Sequence, residues 1–132
     1  MTGKIPDLWP PDFGSVDITT PLVILKTQAT ALAQKTHGVV EGTVNSSSDS
    51  TTFSHQFILV SRVLGYSYRL LLVQHDIALY PVLIRYDPTQ SQYRAADEKS
   101  FQAKLIELFA QEGTLKIVRA LIAQSMERGR AS

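Results

Sequence analysis

Three histidines, His37, His55 and His75, are the side chains of this sequence best suited to acid–base or metal chemistry. A metal site usually draws on closely spaced ligands such as an H-x-x-x-H pair, and the sequence has no such pair. A hairpin could still bring His55 beside His75 and Asp76, forming a polar pocket that could act as a general base or hold a metal. We favour a hydrogen-bonded turn at His75-Asp76 with a half-buried His55, because strict alternation puts the two histidines on opposite faces of a sheet.

Other catalytic and cofactor motifs are missing from the sequence. It has no cysteine, no G-x-S-x-G motif and no glycine-rich phosphate loop. Asp76 and Asp87 would flank one strand at opposite ends, too far apart to act as a paired acid and base. We therefore assign no catalytic residue, no metal ligand and no cofactor, and the sequence favours a protein that is not an enzyme.

Tyrosines and arginines concentrate in the predicted sheet, where they form a candidate interaction surface together with the tryptophan of the N-terminal segment. Its members are Trp9, Arg62, Tyr66, Tyr68, Arg69, Tyr80 and Arg85. Such residues form cross-strand pairs on a plain sheet surface, are enriched in protein–protein interfaces, and stack the bases of single-stranded nucleic acids. The net charge of only +1, with no lysine between Lys35 and Lys99, argues against the nucleic-acid interpretation.

Residues 1–19 are rich in proline and aspartate and show neither helical nor strand periodicity. They carry the large apolar side chains of Leu8, Trp9 and Phe13. We predict an irregular arm that docks Trp9 on the rest of the domain, and a hook for a binding partner is the alternative.

The remaining sequence predicts one α+β domain, so that 1–132 is a single unit. Thr20-Pro21 begins a helix that runs to about residue 37, and Asp97 and Thr114 cap two C-terminal helices. Four strand-like segments lie between them, separated from the second helix by a polar linker at 87–96. The segments cover 39–44, 52–63, 66–74 and 77–86. Short connections favour a four-stranded antiparallel meander in the order α-β-β-β-β-α-α, with Pro81 marking an edge or a bulge in the fourth strand.

The composition excludes several classes of protein. Of the 132 residues, 44% are hydrophobic and 19% are charged, which is too apolar and too weakly charged for a disordered chain. No apolar run approaches the roughly 20 residues that a membrane helix needs, and we find no signal-peptide pattern. Together with the lack of cysteine, this predicts a soluble, cytoplasmic protein without membrane contact.

These observations predict a small non-enzymatic protein-interaction module, resembling an adaptor, a chaperone or an inhibitor in kind. We expect its partner to be a protein, and that protein could be a second copy of the same chain, giving a homo-oligomer. The first alternative is a small-ligand-binding or weakly enzymatic domain with a pocket between sheet and helices. The second is single-stranded nucleic-acid binding.

Overall fold

The computed structural model describes residues 3–130; Met1 and Thr2 of the predicted arm, with Ala131 and Ser132 of the predicted domain, lie outside the described residues. The described chain contains three helices and five strands. In chain order these are α1 Pro21–Lys35, β1 Glu41–Ser48, β2 Phe53–Ser61, β3 Tyr66–His75, β4 Val82–Tyr86, β5 Ser91–Ala95, α2 Glu98–Phe109 and α3 Glu112–Arg130.

The strands form one antiparallel sheet in the order β1-β2-β3-β4-β5, which confirms the α+β class and the placement of the helices. The predicted number of four strands is wrong. Residues 91–95, assigned to a polar linker, pair with β4 from Tyr86↔Ser91 to Val82↔Ala95. A polar sequence suits this edge strand because one of its faces is open to solvent. Pro81 precedes β4, and β4 lies inside the sheet rather than at its edge.

α1 and α2 begin at strong capping residues, whereas α3 begins at Glu112, so the prediction that Thr114 caps it is wrong; Thr114 lies in the first turn and donates to the Leu108 carbonyl at 2.7 Å. The Thr20 side chain accepts a hydrogen bond from the Val23 amide at 3.2 Å, and Pro21 fills the first helical position. Asp97 caps α2 in a capping box with Ser100. In the described part of the chain, no helix is long and apolar enough to cross a membrane.

All three helices contribute buried side chains to the same core, which lies on one face of the sheet. The strands supply alternate buried residues to that core, and the helices cover them. Its largest fully buried side chains are Tyr86, Phe57, Phe101, Leu25, Leu59, Leu70, Leu71, Ile84, Leu108, Val40, Val73 and Val82. The opposite face of the sheet is left without a helical layer.

A β-bulge in β3 decides which residues share a face. The register shifts between Phe57, which lies opposite Leu71, and Ile58, which lies opposite Arg69. The extra residue is Leu70, and both Leu70 and Leu71 are buried. Even-numbered residues therefore face the helices in the first half of β3, and odd-numbered residues do so in the second half. A prediction that assumes strict alternation along β3 puts one of these halves on the wrong face.

Candidate functional site

The candidate site is the open face, by which we mean the face of the sheet opposite the helices. None of its strand residues is buried, whereas most of the residues that alternate with them in β2, β3 and β4 are buried. Its centre is apolar, and Leu83 there is 56% exposed. The apolar members of the open face are Ile58, Val60, Leu72 and Leu83. A strip of this kind is the part of a sheet that is normally covered by a second layer.

Arginines flank the apolar strip, and one carboxylate serves two of them. The Arg69 Nε and Nη2 atoms donate to the Asp87 carboxylate at 2.8 and 3.2 Å, and these bonds hold the pKa of Arg69 above its ordinary value. The Arg85 Nε atom lies 3.7 Å from the same carboxylate, is buried, and has no hydrogen-bond partner. The Arg85 side chain is nevertheless 41% exposed, so its guanidinium is accessible to a further acceptor from outside.

Between Leu83 and Arg85 the open face carries a notch, a small cavity of about 90 Å³. Its walls are Leu72, Gln74, Leu83, Ile84, Arg85 and Gln92. This volume is well below the roughly 300 Å³ at which ligand pockets begin, so the notch suits a single side chain better than a free small molecule.

The tyrosines of the predicted interaction surface do not lie on the open face. Tyr66 and Tyr68 lie on the helix side, lining a depression with residues of α3, and burial raises the pKa of Tyr68. Tyr80 lies in the β3–β4 loop, where its hydroxyl donates to the Thr19 carbonyl at 2.9 Å. The structure therefore brings Arg69 and Arg85 together but separates them from the tyrosines.

Two other predicted surface residues lie at the margins. Arg62 follows β2 directly and pairs with Glu41 at 3.1 Å, with its side chain 81% exposed. Trp9 is 72% exposed, whereas we expected it to dock on the domain; its ring meets that of Phe13 at a centroid distance of 5.6 Å. The arm, residues 3–19, thus presents its aromatic side chains to solvent.

The bulge in β3 places His55 and His75 on the same face, where they meet. Their Nε2 atoms are 2.9 Å apart, and both side chains are buried at 4% and 7% exposure. The His75 Nδ1 atom lies 2.7 Å from the Asp76 carbonyl and must donate to it; when His75 is neutral, its Nε2 atom accepts from His55. The His55 Nδ1 atom is then an acceptor for the Ser46 hydroxyl at 2.7 Å. The result is a directed chain of three hydrogen bonds between neutral groups.

This histidine chain has the geometry of a structural network. The Asp76 carboxylate, which the polar-pocket hypothesis included, turns away and accepts from the Ala78 amide at 2.8 Å. Burial and the neighbouring His75 lower the pKa of His55. Among residues 3–130, no group of three or more histidine or carboxylate side chains is placed to hold a metal ion.

A second cavity, of about 280 Å³, opens as a cleft on the helix side between α1 and α3. Its floor is formed by sheet residues, and its lining is almost entirely apolar. The lining residues are Gln28, Ala31, Leu32, Lys35, Phe57, Leu59, Leu70, Phe109, Thr114, Leu115 and Val118. The residues of the predicted polar pocket, His55, His75 and Asp76, are not among them.

Comparison of the chain with protein-family models, with curated proteins and with solved structures finds no match.

Sequence reasoning missed several residues of the open face, namely Ile58, Leu72, Leu83, Asp87 and Gln92. The spacing Arg85-x-Asp87 was the available signal for a charge cluster, since residues two apart share a strand face. The apolar members gave a weaker signal, because β2 and β3 are apolar on both faces and periodicity does not say which face is covered.

Proposed function

We propose that this protein is a non-enzymatic protein-interaction module whose binding surface is the open face, and whose partner is a second copy of the chain. The main support for the proposal is the uncovered apolar strip of the open face. It lies beside Arg85, and the buried Nε atom of Arg85 lacks a hydrogen-bond partner. Apolar surface flanked by arginine is typical of interface cores, in which arginine is enriched and lysine depleted. The cysteine-free sequence is compatible with a cytoplasmic location, which we include in the proposal.

The size of the open face supports a partner of protein dimensions. Five strands about 4.8 Å apart, each five to ten residues long, span about 600 Å². A specific interface buries about 800 Å² on each partner. The open face is therefore large enough to form most of an interface but falls somewhat short of a complete one.

Protection of an introduced thiol tests the proposal. The chain has no cysteine, so Leu83→Cys creates a single reactive thiol on the open face. Its alkylation should slow markedly as protein concentration rises, because association covers the strip. The matched control is Ile106→Cys on α2, where the native side chain is 72% exposed and the rate should not change with concentration. Equal rates for the Leu83→Cys thiol at all concentrations would contradict the proposal.

The cleft between α1 and α3 favours a second candidate function, the binding of a small apolar ligand. Apolar cavities of about half this volume are known to bind benzene. Benzene should raise the thermal unfolding midpoint of the wild-type protein and leave the Ala31→Phe variant, whose new ring fills the cleft, without a shift. Ala103→Phe on the exposed side of α2 is the control and should respond like the wild type. No shift in the wild type would exclude this candidate.

A further inference from the structure

The arm is unusually apolar for a segment that is exposed to solvent. Six of its large hydrophobic side chains are between 64% and 86% exposed; they are Ile5, Leu8, Trp9, Phe13, Val16 and Ile18. Within its described residues, 3–19, the arm makes mainly internal contacts, such as Trp9 against Phe13 and the Asp7 carboxylate accepting from the Trp9 amide at 3.0 Å. Exposed apolar surface of this extent marks a segment that binds elsewhere.

The arm and the open face carry opposite charge. One lysine against three aspartates gives residues 3–19 a net charge of −2. On the strands themselves the open face carries the arginines 69, 85 and 94 against Glu41, a net charge of +2, which Asp87 at the end of β4 reduces to +1. Opposite charge on two apolar surfaces favours their association and sets its orientation.

The arm contains three carboxylates that each lie next to a large apolar side chain, which is the combination that the notch would bind. Asp7 precedes Leu8, Asp12 precedes Phe13, and Asp17 precedes Ile18, so each carboxylate adjoins a large apolar side chain. In the notch, apolar walls likewise adjoin a guanidinium with an unpartnered Nε atom. Adjacent side chains of an extended arm point to opposite sides, so the pair that would meet the notch together is Asp7 with Trp9, two residues apart, with the ring on the apolar walls and the carboxylate on the exposed part of the Arg85 guanidinium.

When extended, the arm is also about as long as the open face. The stretch from Leu8 to Ile18 spans about 35 Å when extended, and the ten residues of β3 span about 34 Å. An arm seated along the open face would add its own surface to that of the sheet. This addition supplies the area that the open face lacks for a standard interface.

We infer that the segment seated on the open face is the arm of a second copy of this chain, so that two copies exchange arms. The inference rests on the proposed function and uses the same binding surface, the open face. The arm joins α1 on the helix side, where Thr19 is held by Tyr80 and Pro21 is buried. Its own open face lies on the far side of the sheet, whereas the open face of another copy is free to approach. Reciprocal exchange closes the pair with twofold symmetry.

Trp9 is the only tryptophan and reports directly on this contact. Its fluorescence should shift to shorter wavelength as protein concentration rises, in step with a doubling of mass measured by light scattering. Leu83→Glu should abolish both changes, and Ile106→Glu should preserve both. If the mass doubles while Trp9 emission stays that of an exposed indole, the arm exchange is wrong and the proposed function stands.

Mixing two variants separates arm exchange from direct sheet-to-sheet contact. The first variant, Leu83→Glu, keeps its arm and loses its open face; the second, Trp9→Ser with Phe13→Ser, keeps its open face and contributes no tryptophan signal. Neither variant should associate alone. The mixture of the two should associate, and the emission of Trp9 from the first variant should then shift to shorter wavelength.

Absence of association in the mixture overturns the inference. A blue shift that does not depend on concentration, in a monomer, also overturns it and places the arm on its own chain. Unchanged association of Leu83→Glu overturns the proposed function itself.

Discussion

At the scale of single residues, the open face owes its spare hydrogen-bonding capacity to one shared carboxylate. Asp87 makes two hydrogen bonds to Arg69 and lies 3.7 Å from the Nε atom of Arg85. A buried donor without an acceptor costs about 1–3 kcal/mol, which an incoming carboxylate recovers when the Arg85 side chain, 41% exposed, turns towards it. Arg85 therefore favours binding of an acidic partner rather than the stability of the isolated chain.

The histidine chain predicts how stability depends on pH below neutrality. Burial and His75 lower the pKa of His55 from 6.5, so the unfolded state takes up a proton at a pH where the folded state does not. The free energy of unfolding should therefore be highest above pH 6.5 and fall as the pH is lowered through the folded pKa. Urea unfolding across this range measures the slope.

Substitutions at His55 and His37 identify the source of that slope. His55→Phe should flatten it and cost about 1–3 kcal/mol at neutral pH, since the buried Nε2 of His75 loses its partner. His37→Asn changes an exposed histidine outside the pair and should leave the slope as in the wild type. An undiminished slope in His55→Phe would mean that another group titrates.

Tyr80 predicts a second pH effect, at the alkaline end. Burial, together with the nearby Glu98 and Asp97 carboxylates, raises the pKa of Tyr80 from 10.0 to about 12. The folded state keeps the phenol proton longer than the unfolded state, so stability should fall as the pH rises from 10 towards 12. Tyr80→Phe should lessen this fall and cost about 0.5–1.5 kcal/mol near neutrality, through loss of the bond to Thr19. Tyr66→Phe is the control, and the same alkaline decline in both variants would contradict the assignment.

At the scale of elements, most of the fold could be predicted and the errors have identifiable causes. The starts of α1 and α2 were readable because Thr20-Pro21 and Asp97 are local capping signals. β5 was missed because an edge strand with an open face has no need of an apolar pattern. The meeting of His55 and His75 depends on the bulge at Leu70, a register shift that arises from packing between strands and leaves no local mark in the sequence.

Packing of α1 on β1 depends on the small size of Gly42. A Cβ added there would lie 2.7 Å from the Ala29 Cα atom and 3.2 Å from the Phe57 ring. Gly42→Ala should therefore push the helix from the sheet and lower the free energy of unfolding by about 1–3 kcal/mol. Gly129→Ala is the matched control, since a Cβ there meets nothing within 4 Å. Equal stability of the two variants in urea unfolding would show that α1 adjusts without cost.

At the scale of the whole molecule, a net charge of +1 conceals a separation of charge. The arm is acidic and apolar, and the open face is basic and apolar, so the near-neutral composition describes neither surface. Composition alone could not show that the charges of these two surfaces are opposite and partly cancel. The open face becomes visible only in the structure, because it depends on the order of the strands and on the helices all lying on the other face of the sheet.

Sedimentation equilibrium of the wild type, Leu83→Glu and Ile106→Glu over a wide range of concentration tests the central claim most directly. The account predicts that the wild type and Ile106→Glu reach twice the mass of one chain, and that Leu83→Glu stays monomeric. Its thermal midpoint should equal that of the wild type at concentrations where the wild type is a monomer, because Leu83 is 56% exposed. A wild type that stays monomeric throughout, or a Leu83→Glu variant that associates as strongly as the wild type, would contradict the assignment of the open face as the binding surface.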